Sequence, residues 1–189
     1  MSLKNNLIFI FFFILSCQPI ETLVPLQFDY SKFDKLSINA NEILINLKYD
    51  SIFSEENIED QVTNPPLKIL KKWIDKNINI FGKQNKFIIN IYDASISKRE
   101  IENIDAQKYE EKTIFIYEVS FLVEYELYDS NDYLLANTTV ESFRSTTSRK
   151  YISLNEKEII INDLLNKAIK EFVTETKSMT NLYMSEYIS

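Results

Sequence analysis

The chain has 189 residues and a formal net charge of −7, so it is long enough for one domain with a buried core, and its acidity argues against nucleic acid or a broad polybasic membrane patch. Hydrophobic residues make up 45% of the sequence and glycine occurs once, which excludes a disordered or low-complexity chain. Histidine is absent, so the commonest general base and metal ligand are missing, and a single cysteine excludes an intramolecular disulfide.

The first seventeen residues have the pattern of an export signal. Lys4 precedes an apolar run over residues 7–15. The run is too short to span a bilayer as a helix, which takes about 20 residues, but it suits the apolar segment of a cleaved signal peptide. Ser16 then stands directly before Cys17, and a thiol in this position is free to take a lipid as a thioether. We expect residues 1–16 to be a signal peptide and Cys17 to be lipidated; an ordinary secretory signal or an uncleaved anchor is the alternative.

Residues 14–17, Ile-Leu-Ser-Cys, resemble the lipobox of bacterial lipoproteins, in which an aliphatic residue stands three positions before the cysteine and Gly, Ala or Ser directly before it. Leu15 departs from the pattern, which favours a smaller residue there. In such lipoproteins an Asp after the cysteine retains the protein in the inner membrane, and here that position is Gln18. The resemblance implies attachment through Cys17 to the outer membrane, on the periplasmic side of a Gram-negative envelope.

The residues after the cysteine mix aromatic and charged side chains without a sustained period. We therefore expect residues 17–37 to comprise the lipidated cysteine and a tether, and residues 38–189 to form a single domain. Alternating apolar positions over residues 43–49 predict the first strand. The acidic stretch that follows, residues 50–63, predicts a solvated loop.

A helix is predicted next. Asn64 can cap it, and Pro65 and Pro66 suit its first turn. Apolar side chains recur at helical spacing over residues 67–81. Gly82, the residue type best suited to a left-handed conformation, follows directly and predicts the end of the helix.

Three strands are predicted after this helix. Residues 86–96 alternate between apolar and polar positions, and residues 97–112 are highly charged and predict a loop or an irregular edge. The clearest alternation lies over residues 113–128, which predict a long antiparallel strand with one wet face. Turn-forming residues 129–132 then lead into a strand over residues 133–151, so the last two strands form a hairpin.

The chain closes with a second helix. Ser153 and Glu156 have the spacing of a capping box, and apolar positions continue at helical spacing toward the C-terminus. The order strand, helix, strand, strand, strand, helix predicts an α+β two-layer sandwich. In it, a four-stranded, mostly antiparallel sheet is covered by two helices, most simply on one face.

A row of carboxylates and one tryptophan are candidates for a partner surface. The carboxylates lie on the wet side of the long strand and could bind a cation or a basic partner. The commoner explanation is a solvated strand face, in which Arg144, Arg149 and Lys150 on the neighbouring strand pair with them and no ligand is needed. Trp73 on the first helix could anchor an interface, although core packing is the commoner role. The carboxylates are Glu118, Glu124 and Glu126.

Reactive chemistry is not indicated by any sequence motif. A Gly-rich phosphate loop, a Cys/His metal cluster and an EF-hand pattern are all absent, and the hydroxyl-bearing residues 145–148 have no histidine to activate them. We therefore expect no catalytic residue, no metal and no cofactor.

The lipobox followed by this element order resembles the small periplasmic lipoproteins that assist envelope transport, namely the LPS-assembly lipoprotein family and the auxiliary lipoproteins of ABC-type lipid transporters. Residues 64–66 (Asn-Pro-Pro), Trp73 in the next helix and residues 91–95 (Ile-Tyr-Asp-Ala-Ser) are similar to a set of alphaproteobacterial lipoproteins. These resemblances imply a non-enzymatic, membrane-anchored accessory with an envelope protein as partner. The alternative is a lipoprotein that binds a lipid or small amphiphile between sheet and helices, and an enzyme is the third class.

Overall fold

A computed structural model describes residues 28–50 and 55–189, and the predicted signal peptide and Cys17 lie outside these residues. The strands in the described residues are β1 (Leu36–Ile38), β2 (Glu42–Leu47), β3 (Ile78–Ile80), β4 (Lys86–Glu102), β5 (Thr113–Tyr128) and β6 (Leu134–Arg149). The helices are α1 (Pro66–Asn77) and α2 (Leu154–Tyr183). The predicted α+β class and element order are confirmed.

The main sheet has the strand order β2-β4-β5-β6. β2 runs parallel to β4, because the connection between them crosses over through α1, and the other neighbours are antiparallel. The predicted four-stranded, mostly antiparallel sheet is therefore confirmed. A second, two-stranded parallel sheet of β1 and β3 was not predicted.

Both helices cover the same face of the main sheet. Alternate side chains of β5 point into the core, and Phe121 of this strand lies 5.2 Å from Phe172 of α2 between ring centroids. Phe172 in turn meets Trp73 of α1 edge to face at 5.9 Å, so the two helices and the sheet share one aromatic cluster. The opposite face of the sheet is not covered by any helix of the described residues.

A bulge in β4 changes which residues face the helices. The pairing register shifts between Ile91 and Asp93, so Tyr92 is the extra residue. Before the bulge the odd-numbered residues Phe87, Ile89 and Ile91 are buried, and after it the even-numbered Ala94 and Ile96 are buried.

The first helix is shorter than the sequence predicted. It ends at Asn77, and Ile78 begins β3, where it pairs with Leu36 of β1. The buried Asn77 amide donates to the carbonyl oxygens of Tyr30 and Phe33 at 3.1 and 3.0 Å, which fixes the N-terminal segment against the end of α1. This tertiary pairing overrides the helical spacing that continues to residue 81.

The predicted helix start and stop signals have different roles. The N-cap residue is Pro65, without a side-chain cap, so the predicted capping by Asn64 is wrong. Gly82 does not adopt a left-handed conformation, and it is instead where two backbone segments come close. Its N–H donates to the Ala40 carbonyl at 3.0 Å.

Three predicted loop or tether segments contribute to the fold. Within the predicted tether, Tyr30 and Leu36 are buried, so the folded domain begins before residue 38. Residues 97–102 belong to β4 and are not a loop. In the predicted solvated loop, Ile58 is buried and its N–H donates to the backbone carbonyl of Ile96 at 3.1 Å. The segment lies along the part of the β4 edge that the shorter β2 does not reach.

Candidate functional site

A cleft lies where the N-terminal segment, α1, α2 and the last residues of the chain meet. Its volume is about 820 Å³, within the range of about 300–1,000 Å³ usual for small-molecule sites. Its apolar lining consists of Phe33, Leu36, Trp73, Val173 and Ile188. The cleft is therefore a candidate for binding an apolar group.

Local hydrogen bonds set the wall formed by the N-terminal segment. A 3₁₀ turn over Tyr30–Lys32 is capped by Asp29, whose carboxylate accepts from the Ser31 backbone at 3.2 Å. The hydrogen bond from the Ser31 hydroxyl lowers the pKa of Asp29, so the cap stays ionised at neutral pH. Since Asn77 also clamps this turn, Phe33 and the residues after it lie in a fixed position beside α1.

Trp73 lies at the base of the cleft and carries an unpaired donor. The side chain is 1% exposed, and its indole N–H has no hydrogen-bond acceptor among the described residues. A buried donor without an acceptor costs about 1–3 kcal/mol. As part of the core, Trp73 is not exposed to a protein partner in this conformation; core packing was the alternative role left open by the sequence.

The rim of the cleft is basic. Its charged side chains are four lysines and one aspartate, although the chain as a whole is acidic. Lys177 donates to the Asp34 carboxylate, and the Lys32 ammonium nitrogen lies 3.5 Å from an oxygen of the Asp29 carboxylate. Lys35 and Lys170 have no hydrogen-bond or ion-pair partner within the described part of the chain. The cleft therefore combines an apolar base with two unpaired lysines, Lys35 and Lys170.

The carboxylates of the predicted partner surface lie on the uncovered face of the sheet. The Asn90 amide nitrogen donates to Glu124 at 3.1 Å and to Glu126 at 2.8 Å, while its oxygen accepts from Asn46 at 2.9 Å. Neither glutamate has a cation within ion-pair distance among residues 28–50 and 55–189. Neutral amides, not charges, hold this pair of carboxylates together.

Two tyrosines complete the arrangement. Tyr92 donates to Glu124 at 2.9 Å, and this hydrogen bond raises the pKa of Tyr92. Tyr128 donates to Glu126 at 3.1 Å, and its pKa is raised by desolvation and then by this hydrogen bond. Both hydroxyls therefore remain protonated donors at neutral pH.

Glu118 is separate from this pair and has a different partner from the one predicted. Arg99 of β4 binds both of its oxygens, at 2.8 and 3.0 Å, and this hydrogen bonding lowers the pKa of Glu118. The predicted relief from the other neighbouring strand is wrong. Arg144 pairs in register with Val119 of β5, a core residue, so its side chain lies on the sheet face that the helices cover. There it donates to Glu171 of α2 at 2.6 Å.

Lys150 also points elsewhere, to Glu100 at 2.8 Å. Arg149 pairs in register with Ile114, at the far end of the strand from Glu124.

Sequence reasoning missed the cleft, because one of its walls was assigned to the tether. The signal that could have revealed it is the aromatic content of that segment, with Phe28, Tyr30 and Phe33 followed by the apolar Leu36 and Ile38.

Neither helix of the described residues has the length and apolarity needed to cross a bilayer. The same residues contain no group of three or more acidic or cysteine side chains placed to hold a metal ion.

No protein-family model matches the chain, and no curated protein matches it in sequence. Among solved structures, rare lipoprotein B from Shewanella oneidensis is 12% identical, with a TM-score of 0.36, and the match covers 73% of this chain and 95% of that chain. A minor lipoprotein from Acinetobacter baumannii is 8% identical, with a TM-score of 0.37 and coverage of 74% and 89%. A neuraminyllactose-binding hemagglutinin homologue from Helicobacter pylori is 12% identical, with a TM-score of 0.37 and coverage of 80% and 91%. Similarity of this degree carries no argument about what this chain does.

Proposed function

We propose that this chain is a non-enzymatic, membrane-anchored lipoprotein that acts as an accessory or assembly and transport partner in the bacterial cell envelope. The observation that carries the proposal is the leader, in which a lone lysine and an apolar run end at Ser16 and Cys17. Gln18 after the cysteine supports sorting to the outer membrane, with the domain on the periplasmic side.

The length of chain between anchor and domain supports a position close to the membrane. Residues 18–27, ten in number, separate Cys17 from the first described residue. Fully extended, they reach at most about 35 Å. A diacylglyceryl thioether with a further acyl chain would give the lasting attachment for which one acyl chain is insufficient.

The uncovered sheet face is the surface that we propose for the envelope protein partner. It presents the carboxylates of Glu124 and Glu126 without cations among the described residues, beside Tyr92. On β6 it also presents Phe143, whose side chain is 56% exposed. A basic partner with an apolar contact residue would complement this face.

Palmitate labelling tests the anchor. Cells expressing the full chain should incorporate label, globomycin should cause the precursor to accumulate, and the Cys17→Ala variant should remain unlabelled. An unmodified Cys17 with the leader retained on a soluble product would overturn the anchoring.

Affinity purification from solubilised envelopes tests the partner surface. An envelope protein should be recovered with the full chain but not with Phe143→Asp, which changes an exposed residue of the sheet face. The matched control is Leu182→Asp, at a residue 67% exposed on α2. Recovery of no envelope protein above the Cys17→Ala background, or equal losses with both variants, would count against the proposed surface.

The cleft favours a second candidate function, namely binding of a lipid or small amphiphile. The interior between the main sheet and the helices, where the sequence placed such a ligand, is close packed around Phe121 and Phe172. The space that supports this function lies instead outside that core, between the N-terminal segment, Trp73 of α1 and α2. Native mass spectrometry of the full chain from envelopes should then show a co-purifying lipid, and a bare mass alone would weigh against it.

A further inference from the structure

We infer that the cleft binds a single-chain anionic amphiphile, a molecule with one acyl chain and a carboxylate or phosphate head group. The inference deepens the second candidate function and does not depend on the lipid anchor or on a protein partner. It rests on the size and lining of the cleft and on the charges at its rim.

The base of the cleft suits an acyl chain. Its apolar lining consists of Phe33, Leu36, Trp73, Val173 and Ile188, and none of these side chains carries a charge. A volume of about 820 Å³ is in the range of small-molecule sites, and one acyl chain with its head group is a ligand of that size class. Burying methylene groups here would contribute the apolar part of the affinity.

The rim specifies the charge of the head group. Lys35 and Lys170 approach from the N-terminal segment and from α2, and neither has a partner among the described residues. Lysine keeps its ammonium group in water while its stem covers apolar surface, so both can reach an anion at the mouth of the cleft. The other two rim lysines, Lys32 and Lys177, are each paired with an aspartate. Lys35 and Lys170 are therefore the excess positive charge at the rim, and they favour an anionic head over a neutral or cationic one.

The chain has one tryptophan, so its fluorescence reports on the cleft alone. The probe is 9,10-dibromostearate, because bromine atoms quench indole emission only near contact. The full chain is purified from the cell fraction that contains it. If that fraction is the membrane, the protein is extracted in polymer-bounded lipid discs; if it is the soluble fraction, the protein is used directly. We expect saturable quenching, relieved by stearate or by lysophosphatidic acid. Whichever of these competes at the lower concentration identifies the head group as carboxylate or phosphate.

Charge selectivity is tested with variants and with an uncharged probe. Removing both free cations in Lys35→Ala/Lys170→Ala should raise the half-saturating concentration about three- to tenfold. The matched control, Lys83→Ala/Lys167→Ala, removes two exposed lysines that do not line the cleft and should leave it unchanged. The methyl ester of the brominated acid should quench more weakly than the acid.

Two results would overturn the inference. One is quenching of Trp73 that does not saturate; the other is equal half-saturation for the acid, its methyl ester and the Lys35→Ala/Lys170→Ala variant. Failure of the proposed anchoring is distinguishable, because it would abolish palmitate labelling without altering the quenching.

Discussion

Asn90 shows how a single neutral side chain can keep two carboxylates on one sheet face. Its amide reaches both Glu124 and Glu126, and its own oxygen is satisfied by Asn46. Hydrogen bonds to charged groups contribute about 1.5–3 kcal/mol, more than neutral ones. The position therefore requires a neutral donor, and not simply a polar residue.

Replacing Asn90 with aspartate should destabilise the fold by about 1–3 kcal/mol at neutral pH, because a donor is lost and a third carboxylate is added. The two glutamates would raise the pKa of the new carboxyl in the folded state, so the cost should be small near pH 4 and grow as the pH rises toward 8. Urea unfolding at several pH values measures it.

The matched control for this change is Asn79→Asp, at an exposed residue of β3. A cost for Asn90→Asp that does not depend on pH, or one matched by Asn79→Asp, would contradict the electrostatic account.

Gly82 is required by space and not by its dihedral angles. A β-carbon at this position would contact the side-chain oxygen of Asn39 and would lie 2.7 Å from the backbone nitrogen of Ala40. Backbone atoms cannot give way as a flexible side chain can. Gly82→Ala should therefore lower the free energy of unfolding by about 1–3 kcal/mol in thermal or urea denaturation, as overpacking does.

The neighbouring exposed residue supplies the comparison for Gly82. Lys83→Ala should leave stability within about 0.5 kcal/mol of the original. If the two substitutions have the same effect, the close approach of residues 39–40 and 82 is not tight.

At the scale of elements, local patterns predicted β5, β6, the hairpin between them and the start of α2, but only the first part of β4. The alternation of β5 is long enough to set its register, and Asp129 closes the hairpin by accepting from the backbones of Asn131 and Tyr133 at 2.8 and 2.9 Å. The end of α1 could not be predicted in this way. Ile78 suits a helix or a strand, and its pairing with Leu36, distant in sequence, decides between them.

The capping box of α2 is confirmed by both of its hydrogen bonds. The Ser153 hydroxyl accepts from the Glu156 backbone at 3.2 Å, and the Glu156 carboxylate accepts from the Ser153 backbone at 2.8 Å. Ser153→Ala should lower the free energy of unfolding by about 1 kcal/mol, since a lost N-cap typically costs 0.5–2 kcal/mol. Chemical denaturation at pH 7 measures the loss, with Ser178→Ala, an exposed serine within the same helix, as control.

The pH dependence of this cap has a definite sign. The backbone hydrogen bond from Ser153 lowers the pKa of Glu156, so the ionised form is favoured by folding. The stabilisation by Glu156 is then present above the usual glutamate pKa and is lost as the pH falls through the lowered folded-state value. Glu156→Gln should accordingly differ from the original chain at pH 7 and converge with it in acid; a constant difference would contradict this.

At the scale of the whole molecule, distant segments meet to form the cleft, which explains why the sequence did not predict it. Leu36 comes from the N-terminal segment, Trp73 from α1, and Val173 and Ile188 from the C-terminal region. Each lies in a locally ordinary pattern, and only the fold brings them together. The candidate carboxylates were visible in the sequence because they alternate along one strand, but their partners on β4 were not.

The last six residues close this arrangement, so we expect their removal to affect both stability and the cleft. Met184 is buried. The backbone carbonyl of Tyr187 accepts from the backbone N–H of Asn39 at 2.8 Å, and Ile188 forms an antiparallel β-bridge with Ile38. Deleting residues 184–189 should lower the free energy of unfolding by about 2 kcal/mol or more, the least that loss of a buried methionine side chain usually costs. Because the deletion also removes one wall of the cleft, Trp73 emission should shift to the red and acrylamide should quench it more strongly in the folded state. Glu186→Ala, at an exposed residue of the same segment, should change neither quantity. A truncated chain that is less stable but has unaltered tryptophan accessibility would show that the C-terminal segment supports the fold without enclosing the cleft.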